Sequence, residues 1–181
     1  MKNSQETPQN WAFHGILRRL KSMIKVLFVC HGNICRSPMA QFIFQDLVNK
    51  RGLTDFFYIN SAATSMEELG SGVHRGTQRK LREVGVPVLD HRATLLDRKD
   101  YAKYDYILGM DSWNLRNMHR ILGADPDNKI GLLLDYSDRP RDIADPWYTG
   151  NFDATYEDVL EGCTALLEHI LQYDKAKLYR K

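Results

Sequence analysis

Cys30-His31-Gly32-Asn33-Ile34-Cys35-Arg36-Ser37-Pro38 sets a cysteine and an arginine with five residues between them, a glycine among these, and a hydroxyl directly after the arginine. The apolar, β-branched run Ile24 to Val29 before it reads as a buried strand. Ser37-Pro38 reads as a helix start, with the hydroxyl at the cap and Pro38 at the first helical position. Residues 30 to 36 then form a strand-to-helix turn whose amides converge on one point, where the helix adds partial positive charge. Such a turn cradles a tetrahedral oxyanion, and the planar fork of Arg36 closes the ring around it. Cys30 sits where the anion docks, and the same positive field favours its thiolate form. Nucleophile and electrophile therefore share one site.

A thiolate attacking a phosphate ester expels an alkoxide or phenoxide, so the site also needs a proton donor. The irregular acidic stretch Asp135 to Phe152 offers Asp135, Asp138, Asp142 and Asp145. Asp145 is the choice: Pro146 biases it toward an extended backbone, and Trp147 and Tyr148 are expected to wall in an aromatic leaving group and dry the carboxyl, favouring its protonated form.

The elements that must position these groups alternate in type. Strands are expected at Ile24 to Val29, Phe56 to Ile59, Tyr104 to Met110 and Lys129 to Leu134. Helices are expected at Met39 to Val48, at Val73 to Val84, from the cap Asp111 to about Ile121, and from Asp153 onward. The alternation implies a parallel sheet with helices on both faces, and ligands in such sheets sit at the carboxyl ends of the strands. The cysteine loop, Ser61 to Thr64, Met110-Asp111 and the acidic stretch all follow strands and should meet at that edge.

Composition narrows the classes further. At 181 residues and 43% hydrophobic, the chain fits one domain with a substantial core. Lys and Arg total 25 against 23 Asp and Glu, so the net charge of +2 demands neither nucleic acid nor an anionic membrane. No apolar run approaches a membrane span. Three cysteines make no disulfide framework, and a site needing a free thiolate points to the cytoplasm. Cys30, His31 and Cys35 have no second ligand cluster at metal spacing, so no metal or other cofactor is expected. Residues 1–22 stand apart, with a helix-like stripe of Trp11, Phe13, Ile16, Leu17 and Leu20 broken by Arg18 and Arg19. They read as an accessory extension, with Met23 an alternative start.

Cys30 to Ala40, together with the distant Asp145-Pro146-Trp147-Tyr148, closely resembles the low-molecular-weight protein tyrosine phosphatases, over a domain spanning residues 23–181. The resemblance implies a three-layer α/β fold with a four-stranded parallel, flavodoxin-like sheet of order 2-1-3-4. It also implies a metal-free, two-step hydrolysis, acting on a phosphotyrosine protein or a small aryl phosphate, in a monomer or weak dimer. Cys30 would form a phosphocysteine. Arg36 and the amides of residues 31–36 would hold the phosphate oxygens, and Asp145 would serve as acid and then base. Asn33 matches the residue that holds the loop's shape, Ser37 the hydroxyl on the thiolate, and Ser61 and His91 the network bracing Asn33. Cys35 matches the second cysteine, able to trap an oxidised Cys30 as a disulfide, while Ile34, Trp147 and Tyr148 would wall the substrate slot.

Two departures stand out. Gln41 replaces a common acidic residue, which is expected to weaken a surface pair, and Ser65 to Gly70 lacks the aromatic wall of many relatives while placing Glu67 and Glu68 at the rim. Three alternatives remain beside the aryl phosphatase. A phosphoarginine phosphatase would resemble this loop but with Thr in place of Ile34. An arsenate reductase would need a further redox cysteine pair where only Cys163 is left. A mere phosphate-binding module would need neither Cys30 nor Asp145.

Overall fold

A computed structural model of the chain describes residues 23–174. The helical stripe read in residues 1–22 lies outside the described residues. The elements run β1 (Ile24–Cys30), α1 (Arg36–Lys50), β2 (Phe57–Ala63), α2 (Arg75–Glu83), α3 (Asp100–Lys103), β3 (Tyr106–Gly109), α4 (Ser112–Leu122), β4 (Ile130–Leu132), α5 (Pro146–Thr149) and α6 (Phe152–Tyr173). Short 3-10 turns precede β2 and follow β4.

The four strands form one parallel sheet in the order β2-β1-β3-β4, as the resemblance implied. β1 lies inside it, pairing with β2 along its whole length and with β3 from Val26 to Val29. Alternation along β1 builds both layers of core, because successive side chains of a strand point to opposite faces. Ile24, Val26, Phe28 and Cys30 join one cluster with Met39, Phe42 and Ile43 of α1 and Leu166, Leu167 and Ile170 of α6. Leu27 and Val29 join another, with Ile107 of β3 and Met118 and Leu122 of α4. Helices therefore cover both faces, and the nucleophile candidate ends the central strand on the α1/α6 side.

Several expected boundaries move, each for a local reason. α1 begins at Arg36 with Cys35 as its cap residue, and no side chain caps its first turn. The Ser37 hydroxyl is engaged with Cys30 and Asn33, so it is not the cap the sequence suggested. α2 starts after His74, whose ring accepts from the Gly76 amide. α6 starts at Phe152, one residue before Asp153, because Asn151 caps it by accepting from the Ala154 amide. β1 and β2 run past their expected ends to Cys30 and Ala63, whereas β3 and β4 are shorter than their apolar runs. Leu133 and Leu134 continue the hydrophobic pattern but leave the sheet as a 3-10 turn. The short helices α3 and α5 carry no periodic signal in the sequence.

Candidate active site

Every site residue is placed by the carboxyl edge of the sheet. Directly after Cys30 the chain turns, and Asn33 takes a left-handed conformation with φ of 56°. Asparagine is among the few residues that hold this shape at low cost. Its fully buried side chain secures the turn from inside. Asn33 Nδ2 donates to Ser37 Oγ at 2.8 Å and to Ser61 Oγ at 2.9 Å, while its Oδ1 accepts from the Thr94 amide at 3.0 Å. His91 Nε2 donates to the Asn33 carbonyl at 2.8 Å. Burial lowers the His91 pKa against the opposing effects of its hydrogen bond to the Asn33 carbonyl and the charge of Asp90.

The donors in this network have a direction. Ser61 Oγ donates to Gln41 Oε1 at 2.6 Å, so Gln41 belongs to the network rather than to a surface pair. Ser37 Oγ already accepts from Asn33, which leaves its own proton for Cys30 Sγ, 3.0 Å away. The Asn33 amide also donates to Cys30 Sγ, at 3.3 Å. Two donors therefore converge on the sulfur.

Arg36 is 2% exposed and spread between two carboxylates. Its Nη1 donates to Asp111 Oδ2 at 2.5 Å and to the Ile143 carbonyl at 2.9 Å, and its Nη2 donates to Asp145 Oδ2 at 2.9 Å. Its Nε is buried and makes no hydrogen bond among the described residues. Burial opposes the guanidinium charge, but Cys30, Asp145 and Asp111 outweigh it and hold the pKa above the ordinary arginine value.

Cys30, Cys35, Arg36 and Asp145 line one cavity, walled by Ile34, Trp147 and Tyr148 and rimmed by His31, Glu67 and Glu68. Gly32 also borders it, with the Glu68 side chain close by. Of the four competing aspartates only Asp145 faces this cavity. Asp135 accepts from the Leu132 amide, Asp142 is committed to Ser112, and Asp138 lines a separate groove. Asp145 Oδ1 caps α5 by accepting from the Trp147 amide. The two rings do not dry it as expected: Trp147 is 58% and Tyr148 83% exposed, and the close neighbour of the carboxyl is Arg36. Burial first, then the charge of Cys30, pushes the Cys35 thiol up to about 12, so it stays protonated at neutral pH. Cys163 is fully buried in α6, with its thiol against the Ala40 carbonyl.

Sequence reasoning missed the second role of Asp111. It caps α4 as expected, accepting from the Asn114 amide at 2.7 Å, but its other oxygen holds Arg36. Its place at the end of β3, on the ligand edge, was the available signal. Thr94 had none, since it reaches Asn33 from an irregular segment. Among the described residues no cluster of His, Cys, Asp and Glu is arranged to hold a metal ion, and no helix is long and apolar enough to cross a membrane.

A parallel sheet whose inner strand delivers a thiol into an arginine-closed turn, with a carboxyl across the cavity, defines a cysteine-based phosphatase. The family model described as low molecular weight phosphotyrosine protein phosphatase matches residues 25–177, and the chain belongs to that family. It is 40% identical over 150 residues to the low molecular weight protein-tyrosine-phosphatase YfkJ of Bacillus subtilis, covering 82% of this chain and 96% of that one. It is 39% identical over 148 residues to the low molecular weight phosphotyrosine protein phosphatase of Rattus norvegicus, covering 79% and 93%. The crystal structure of YfkJ superposes with a TM-score of 0.81 over 83% of this chain and 96% of that one. The Drosophila arginine phosphatase does so with a TM-score of 0.73 at 36% identity, over 81% and 97%.

Proposed function

We propose that this chain hydrolyses aryl phosphate monoesters, phosphotyrosine among them, through a phosphocysteine at Cys30. The observation that carries the reading is the convergence of Cys30, Arg36 and Asp145 on one cavity, with two hydrogen-bond donors on the Cys30 sulfur. In the first step Cys30 Sγ attacks phosphorus, the ester P–O bond breaks, and Asp145 gives its proton to the departing phenoxide. In the second, Asp145 takes a proton from water as that water attacks phosphorus, releasing inorganic phosphate and the thiolate. Arg36 and the turn amides hold the phosphoryl oxygens through both steps, and the buried Nε of Arg36 supplies a donor for one of them. Ile34 and Trp147 form an apolar slot for the ring, and an apolar Ile34 favours an aryl group over a guanidinium. Residues 23–181 constitute the phosphatase domain and residues 1–22 an extension to it. A monomer or weak dimer in the cytoplasm suits a site that depends on a free thiol.

Turnover of p-nitrophenyl phosphate and of phosphotyrosine, phosphoserine and phosphoarginine peptides, in the presence of a chelator, tests this. Aryl substrates should be hydrolysed fastest, Cys30→Ser should abolish activity, and Arg36→Ala should lower it by orders of magnitude. Undiminished turnover in Cys30→Ser, or a preference for phosphoarginine, would overturn the proposal.

A further inference from the structure

His74 takes no part in the mechanism above, yet it is tied to both halves of the site. Its backbone amide donates to the Ile34 carbonyl in the phosphate-binding turn at 2.8 Å. Its ring stacks on Phe152 with centroids 5.3 Å apart and planes 6° from parallel, and it meets the Trp147 ring edge-on at 5.7 Å. Its Nδ1 accepts from the Gly76 amide at 3.0 Å, so the ring is fixed in rotation as well as in position. Phe152, the other face of the stack, packs against Ile34, Cys35 and Ala93 and lies directly on Gly76. A Cβ at Gly76 would fall 2.4 Å from the Phe152 ring, so glycine is required for this approach.

Trp147 needs such a brace. It is carried by α5, a helix of four residues, too short to hold itself, and its ring is 58% exposed. α5 is capped by Asp145 at its start and followed by Gly150 in a left-handed conformation with φ of 67°, and beyond these ends the Trp147 ring is held by the rings it meets. We infer that His74 is a positioning residue for substrate specificity, setting the Trp147 wall in register with the phosphate-binding turn through the Gly76–Phe152–His74 stack. Burial and the charge of Arg75 lower the His74 pKa against the opposing effect of Glu68, which suits a neutral ring with Nδ1 as acceptor.

The inference rests on the aryl phosphatase reading, and separate measurements keep the two apart. His74→Asn keeps an acceptor for the Gly76 amide but removes the ring, whereas His74→Phe keeps the ring and removes the acceptor. For the Asn variant KM for p-nitrophenyl phosphate should rise about threefold to tenfold, the size of one aromatic contact, while the inhibition constant of inorganic phosphate stays within about twofold. The Phe variant should restore the aryl KM despite a lower melting temperature. Independently of turnover, Trp147 as sole tryptophan (Trp11→Phe, Trp113→Phe) should become more accessible to acrylamide quenching in His74→Asn than in His74→Phe. An unchanged KM and unchanged quenching in His74→Asn would overturn the inference. So would phosphate affinity falling in parallel with aryl affinity, which marks a general structural role, or a Phe variant no better than Asn.

Discussion

Replacing Asp145 by Asn removes a proton donor while leaving the local backbone supported. Asp145 Oδ1 caps α5, and asparagine caps as well as aspartate, so the segment should keep its fold. Arg36 loses one acceptor at Nη2 but retains Asp111 and the Ile143 carbonyl on Nη1. Two consequences follow with opposite signs. General-acid assistance of about 10²–10⁴-fold disappears, and that loss should fall most heavily on a leaving group such as phenol, whose pKa of about 10 matches tyrosine's. At the same time a negative charge 2.9 Å from the guanidinium is removed, so a phosphate dianion meets less repulsion and should bind as well or better. Rates for p-nitrophenyl and phenyl phosphate, with inhibition by inorganic phosphate, separate the two effects. Phenyl phosphate turnover should drop about 10²-fold or more, p-nitrophenyl phosphate distinctly less, and phosphate inhibition should not weaken. Asp142→Asn, whose carboxylate is engaged by Ser112 and does not line the cavity, is the control. Equal losses for both esters, or the steeper leaving-group dependence appearing in Asp142→Asn, would refute Asp145 as the acid.

Peroxide treatment followed by peptide mapping should reveal a Cys30–Cys35 bridge with Cys163 untouched, since Cys163 is fully buried; reversible inactivation without that bridge would exclude Cys35 as the resolving thiol. Gly162→Ala places a Cβ 2.6 Å from Leu133 Cγ, and the resulting overpacking should cost about 1–3 kcal/mol, read as a melting temperature lower by several degrees. The hydrogen bond from Arg141 holds Glu161 down at about 2 against an ordinary 4.5. A depressed carboxylate stabilises above its unfolded pKa and ceases to do so as pH falls through its folded one. The small stability gap between wild type and Arg141→Gln should therefore be full above pH 4.5 and close toward pH 2.

Local chemistry made the cysteine turn readable, because Cys30, Gly32 and Arg36 fall in one short stretch between a strand and a helix, while the role of Asn33 came only with the family resemblance. The sheet was readable because its strands are short apolar runs between helical stretches. Contacts made across the sheet edge were not. Asp111 presents two carboxylate oxygens in different directions, and only the one that caps α4 leaves a signal in the sequence. Gln41 looked like a surface substitution because its partner, Ser61, is 20 positions away. The environment of Asp145 was misjudged for the same reason: adjacency to Trp147 and Tyr148 suggested shelter, while the nearest group, Arg36, is 109 residues distant.

Cys30 is the last residue of a strand flanked by β2 and β3, not a residue on a detachable loop. Opening the site thus means unzipping the middle of the sheet, so loss of activity in a denaturant titration should coincide with the global transition instead of preceding it. The converse also holds. An oxyanion bound at the end of β1 would act on the whole folding equilibrium, so the phosphate product would protect the enzyme against unfolding by an amount that grows with the logarithm of its concentration above Kd.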